Sequence, residues 1–194
     1  MQTPGTIIML NGTTSSGKSA TLSALQRQLA APYLEAGIDK FLYMLPERWL
    51  EWPEWAEVLG DADRAGPVGQ QLFSGMHHAI AALARQGNNV LADHVLLDPR
   101  WVAECAALYA DLPAYLIGLR CPQAVLDARE IARGDRLPGQ AKKQNRVAHA
   151  HTIYDIEIDT SAHPPDACAA QIIHHISTKP PRAWRALHTT RSGV

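Results

Sequence analysis

A chain of 194 residues with 46% hydrophobic and 19% charged side chains is long enough to bury a full core and falls within the range of one domain. A formal net charge of -1 excludes the broad basic field of a nucleic-acid binder or of a protein drawn to anionic membrane. Three widely spaced cysteines, Cys105, Cys121 and Cys168, argue against a disulfide framework, and with no signal-like start and no apolar run of about 20 residues the expected location is the reducing cytoplasm.

Short apolar, β-branched runs alternate with segments of helical period, the pattern of an α/β fold whose mostly parallel sheet carries helices on both faces. Five strands are expected, at residues 6–11, 33–37, 89–93, 114–119 and 153–159. After the first comes a helical face of Leu22, Leu25 and Leu29, and after the second a short helix over 40–45. Leu72, Met76, Ile80 and Leu83 precede the third strand, and Trp101, Cys105 and Leu108 follow it. Val125 and Arg129 share a face after the fourth. Ala169, Ile172, Ile173 and Ile176 form the helix after the fifth, with Pro164 and Pro165 suited to its first turn.

Two segments break this rhythm. Residues 46–66 carry Trp49, Trp52 and Trp55 together with Glu47, Glu51, Glu54, Glu57, Asp61 and Asp63, and read as an insertion on the acceptor side of the sheet's ligand edge. Residues 179–194 are basic and open on Pro180-Pro181, so they read as a tail appended to a domain of residues 1–178.

Gly12-Thr13-Thr14-Ser15-Ser16-Gly17-Lys18-Ser19 satisfies G-x-x-x-x-G-K-[ST] between an expected strand and an expected helix. Such a loop lets consecutive backbone N–H groups curl round an anion at the positive end of the following helix. Lys18 then reaches the β- and γ-phosphates, and the Ser19 hydroxyl is a ligand for Mg²⁺. Asp93, at the end of the third strand, is the carboxylate expected near that metal. Asp39 lies past the second strand, where it serves either as the base that accepts a hydroxyl proton or as a helix N-cap. Arg129, Arg133 and Arg136, with Gly134 and Gly139 as hinges, read as a lid over residues 129–147 that neutralises triphosphate charge. The paired histidines at 77, 78, 149, 151, 174 and 175 lack partners at zinc spacing and read as core or solvated residues, although His149 follows the lid directly.

Together these blocks resemble the chloramphenicol phosphotransferase family of P-loop small-molecule kinases. The resemblance is carried by IIMLNGTTSSGKS, LEAGIDKF, VLADHVLLD, REIARGDRLPGQA and YDIEIDT, in the family's order. It implies a P-loop kinase fold, ATP with Mg²⁺, Asp39 as the catalytic base and a small-molecule hydroxyl as acceptor, most simply an antibiotic. Two departures stand out: Asp93-His94 where family members tend to pair two aspartates, and an unrelated stretch at 46–66. If the acids of that stretch line the site, they suit a cationic acceptor such as an aminoglycoside. The rival readings are a metabolic or toxin-type kinase for a sugar, a shikimate-like alcohol or a nucleotide sugar, and a nucleotide-binding switch that transfers nothing. No nucleic acid or membrane partner is expected, and a homo-oligomer is allowed.

Overall fold

The computed structural model describes residues 3–60, 64–133, 139–151 and 153–192. Five strands form one sheet: β1 (Ile7–Asn11), β2 (Tyr33–Glu35), β3 (Asn89–His94), β4 (Ala114–Arg120) and β5 (Ile156–Asp159), in the order β2-β3-β1-β4-β5. Every neighbouring pair is parallel, with Ile7 opposite both Val90 and Ala114, and Asn11 opposite His94 and Gly118. The expected parallel sheet with helices on both faces is therefore present, with shorter ends. β2 stops at Glu35 because Gly37 turns the chain into α2 (Ile38–Leu42), and β5 begins at Ile156 because Ile153 is still bonded locally to the His151 carbonyl.

Parallel strands covered on both sides need apolar residues at consecutive positions. β1 shows this: all five of its residues are buried, with Ile7 and Met9 facing one core and Ile8 and Leu10 the other. α1 (Lys18–Gln28) and α8 (Pro165–Thr178) cover the Ile8 face through Leu22, Leu25, Ala169 and Ile172. α4 (Pro67–Arg85) and α5 (Pro99–Tyr109) cover the other through Phe73, Met76, Ile80, Trp101 and Cys105. Both start with proline at their first residue, and α5 adds an Asp98 carboxylate that accepts the Arg100 N–H at 2.8 Å. The 46–66 segment folds into a 3₁₀ turn (Glu47–Leu50) and α3 (Trp55–Leu59). α6 (Gln123–Arg133) and the short α7 (Gln140–Asn145) lie between β4 and β5. No helix among the described residues is long and apolar enough to cross a membrane.

The C-terminal stretch departs from the expected tail. α9 (Ala183–Ser192) packs on α5 and sinks Ala183, Trp184 and Leu187 into the main core, Trp184 at 1% exposure with its ring edge-on to Tyr109 at 5.4 Å. The prolines that suggested a break lead into the helix, whose first N–H groups are satisfied from a distance. Asp155 Oδ1 accepts the N–H of Arg182 at 2.7 Å and of Ala183 at 3.1 Å, while its Oδ2 accepts the Leu116 N–H at 2.8 Å. One carboxylate thus pins α9 to the sheet. Trp184→Ala is expected to cost about 3–5 kcal/mol, read as a lower urea midpoint; a shift near zero would return the segment to a tail.

Candidate active site

β1 lies between β3 and β4; the chain passes from β1 to β2 on the β3 side and from β3 to β4 on the other, which opens a crevice at the carboxyl ends of these strands. The residues that follow those ends line a cleft of about 990 Å³. On one wall stand Thr14, Ser15, Gly17, Lys18 and Ser19 of the loop after β1. Opposite are Ile38, Asp39 and Leu42 of α2 with Asp93 and Val95 from the end of β3, and Leu59 of α3. Arg129 and Ala132 of α6, Gln140, and Thr160 to Pro165 after β5 close the remaining side.

The loop has the backbone of an anion cradle. Gly17 (φ 90°) and Ser15 (φ 59°) both occupy the left-handed region, natural for glycine and costly for serine, so the strain at Ser15 is held in place by its surroundings. Ser15 and Ser16 bury their hydroxyl oxygens without a protein partner among the described residues. Buried polar groups seldom stay unpaired, so these are positions where a polar ligand would be at home. Lys18 is folded onto the loop, its Nζ donating to the carbonyls of Gly12 at 3.0 Å and Thr13 at 2.8 Å. The residues present therefore fit a bound phosphate chain.

Asn11 anchors the loop from below. Its Nδ2 donates to the Ala148 carbonyl and to Tyr154 Oη, both at 2.7 Å, and its Oδ1 accepts the Leu96 N–H at 2.9 Å. Because Tyr154 already accepts from Asn11, its own proton goes to His149 Nδ1 at 2.6 Å, which makes His149 a neutral ring at that nitrogen. Burial, then the charges of Arg120, His151 and Lys18, push the His149 pKa down to about 3, in keeping with that assignment.

Arg129 is bonded into the wall rather than loose. It donates to the Thr160 carbonyl at 2.8 Å, to Thr160 Oγ1 at 3.3 Å and to the Ser15 carbonyl at 3.4 Å, while Thr160 Oγ1 donates to the Ser16 carbonyl at 2.8 Å. The last strand and α6 are thereby tied to the phosphate loop. Arg136 and Gly134 lie outside the described residues, and of Arg133 only the helical backbone is described.

Asp39 is exposed at the second position of α2, whose N-cap is Gly37. This sets aside the N-cap reading, since no side chain caps this helix. Gly37 is required for another reason: a Cβ there would lie 2.0 Å from Asp93 Oδ1. The missing side chain lets the Asp93 carboxylate come against the first turn of α2, where the Ile38 N–H bonds it. Burial raises the Asp93 pKa, Lys18 opposes that, and the nearby charge of Asp39 raises it further. Ser19, Asp39 and Asp93 also share a side recess of about 70 Å³ with Glu35 and Lys40. A hydrated divalent cation there would find the Ser19 hydroxyl and the Asp93 carboxylate as its protein contacts.

None of the described acids at 46–66 is among the lining of the cleft. Glu47, Glu51 and Glu57 are exposed, Asp61 and Asp63 lie outside the described residues, and from that segment only Leu59 is among the described lining. Trp49 and Trp55 pack against the core, and Trp52 is 61% exposed. The sequence reading assigned no role to Gln140, Thr160, Ser161 or the apolar wall of Ile38, Leu42, Leu59 and Val95. Thr160 had a usable signal in its place after a strand end, where α/β sheets put ligands; the apolar wall had none.

Comparison with known proteins gives the chain's family and fold. Residues 5–177 match the family described as chloramphenicol phosphotransferase-like protein. A Mycobacterium tuberculosis (strain H37Rv) relative named "Putative O-phosphotransferase Rv2636" is 30% identical over 182 residues, which covers 87% of this chain and 80% of the relative. Among solved structures, the tunicamycin resistance protein of Deinococcus radiodurans is similar with TM-score 0.64 and 17% identity, over 91% of this chain and 98% of that one. Shikimate kinase from Acinetobacter baumannii, bound to shikimate, gives TM-score 0.64 at 14% identity over 91% and 94%. APS kinase of Mycobacterium tuberculosis, with AMPPNP and APS, gives 0.59 at 15% over 91% and 99%. At these identities the structural neighbours establish the P-loop kinase fold and nothing finer.

Proposed function

We propose, from the premise that this chain belongs to the chloramphenicol phosphotransferase-like family and is a phosphotransferase, that it moves the γ-phosphate of ATP to a hydroxyl of a small neutral molecule with an apolar face. The acceptor we favour is an antibiotic of the chloramphenicol kind, met in the cytoplasm. One observation carries the reading: a single cleft joins the phosphate loop, the Asp39 carboxylate and the apolar side chains of Ile38, Leu42, Leu59 and Val95. An acceptor seated on that apolar wall has its hydroxyl between Asp39 and the loop. Apart from Asp39 and Asp93 the described lining holds no acid, so a polycationic aminoglycoside is a poor fit.

Phosphoryl transfer asks a protein mainly for positioning and charge. The loop holds the donor by its N–H groups, and Lys18 swings from the Gly12 and Thr13 carbonyls to the terminal phosphates. Asp39 accepts the proton that the acceptor hydroxyl loses as its oxygen attacks phosphorus. Ser19 and Asp93 would hold Mg²⁺, which would supply positive charge against the phosphates. Arg133, the last residue of α6, and Arg136 are assigned the neutralisation of phosphate charge, and Arg129 keeps α6 seated on the loop.

The test is incubation with ATP and a panel containing chloramphenicol, tunicamycin, an aminoglycoside, shikimate and a simple sugar, followed by mass spectrometry for a gained phosphoryl group. Phosphorylation of a neutral antibiotic but not of the aminoglycoside is the expected result. Modification of the sugar or of shikimate alone would favour a metabolic kinase, and ATP loss with no modified acceptor a switch.

A further inference from the structure

The N-terminal limb of the phosphate loop already has a protein group on it. The Thr14 N–H, on the cleft wall, donates to Oε1 of Gln144 at 2.7 Å across 130 residues of sequence. Gln144 is 5% exposed and sits near the end of α7. α7 is itself held at its start by Glu130, which accepts the N–H of Gly139 at 2.7 Å and of Ala141 at 2.9 Å. Both ends of this short helix are thus fixed, one to α6 and one to the loop.

An amide has two ends. Fixing Oε1 on Thr14 puts Nε2, with two N–H donors, one carbon away from the loop, and Nε2 makes no hydrogen bond to the described residues. Held in place by the Oε1 bond, this donor is open to an acceptor on a ligand. The helix-side N–H groups of such a loop serve the inner phosphates, next to α1. Thr14 is the cleft-lining loop residue farthest in sequence from that helix, on the side where the outermost phosphate would lie.

We propose that Gln144 is a positioning residue for the terminal phosphate: Oε1 is locked on the Thr14 N–H so that Nε2 donates to a γ-phosphate oxygen, letting the site tell a triphosphate from a diphosphate. This rests on the ATP-dependent reading above. It is a binding role, so it can be measured without knowing the acceptor.

The experiment is calorimetric titration of the full-length protein, with Mg²⁺, by ADP and by a non-hydrolysable ATP analogue, for wild type, Gln144→Leu and Gln144→Glu. Leucine removes both ends of the amide. Glutamate keeps an oxygen for Thr14 and replaces the donor with an acceptor. Both variants are expected to bind the triphosphate analogue about tenfold more weakly or worse, the size of one hydrogen bond to a charged group, and to keep ADP within about twofold. Retained ADP affinity shows in the same titration that the variants are folded. Equal loss of both nucleotides, or a Gln144→Glu protein that behaves as wild type, would show that Gln144 only shapes the loop and would overturn the proposal. A wild-type protein that binds neither nucleotide would overturn the ATP-dependent reading as well, whereas normal wild-type binding with an unchanged preference in the variants sinks the Gln144 role alone.

Discussion

Asp39→Asn is expected to lower kcat for phosphoryl transfer by about 10²–10⁴-fold while nucleotide affinity stays within a few-fold of wild type. The asparagine is nearly the same size and keeps the first turn of α2, so the Asp93 contact to the Ile38 N–H survives. What disappears is a carboxylate able to take a proton, facing a cleft it shares with Lys18 and Ser19. Because transition states for this transfer are mostly loose, a fall at the low end of the range is still consistent with a base at this position. Rates measured with the acceptor found in the panel, alongside ADP titrations, separate the cases. Unchanged kcat would remove Asp39 from the reaction, and an equal loss of affinity would mean that it serves to hold the nucleotide or its metal.

The loop and the sheet were legible for the same physical reason: both are specified by neighbours in sequence. The run Ile7 to Leu10 is apolar at four consecutive positions because β1 is covered on both faces, and the glycines of Gly12 to Ser19 follow at fixed spacing. Asp93 could be placed because ligand edges of parallel sheets lie at carboxyl ends. α9 was misread because its capping group, Asp155, is 27 residues upstream, although Ala183, Trp184 and Leu187 already fell on one helical face. The partners of Thr14, Arg129 and Asn11 were illegible because each bond crosses from one element to another, and a glutamine in the stretch KKQNR has no local pattern to betray it. Composition could not say which acids of 46–66 face the cleft: where a charge points depends on which side of α3 packs, and Val58 and Leu59 take the inward positions.

The second large effect concerns acid. Glu104 accepts His77 Nδ1–H at 2.5 Å and a hydroxyl bond from Ser74 at 2.6 Å, and His77 Nε2 lies 2.9 Å from His94 Nε2. With Glu104 ionised, one proton per contact suffices: His77 donates to Glu104 and accepts from His94, so both rings are neutral. Burial lowers His77 against the pull of Glu104, and burial together with His77 lowers His94 well below the ordinary value near 6.5. His149, at about 3, is a third buried neutral ring. In each case the unfolded chain binds a proton at a pH where the folded one does not, so stability is full above about pH 6.5 and falls as the pH drops towards the folded-state values. Each such histidine gives a slope of about 1.4 kcal/mol per pH unit inside its window, so His149 alone removes about 2 kcal/mol between pH 6.5 and 5. Against a typical domain stability of about 5–15 kcal/mol that is a large share. Glu104, which burial pushes up but its hydrogen bonds hold below the ordinary carboxyl value, adds to the loss only at lower pH, and Asp93, whose pKa is raised, acts in the opposite direction. Urea unfolding at about pH 7.5 and about pH 5 should therefore show a much lower midpoint in acid. His149→Gln, which keeps an acceptor for Tyr154 but cannot titrate, should flatten that dependence; a slope as steep as that of wild type would mean that the Tyr154–His149 contact is not its source.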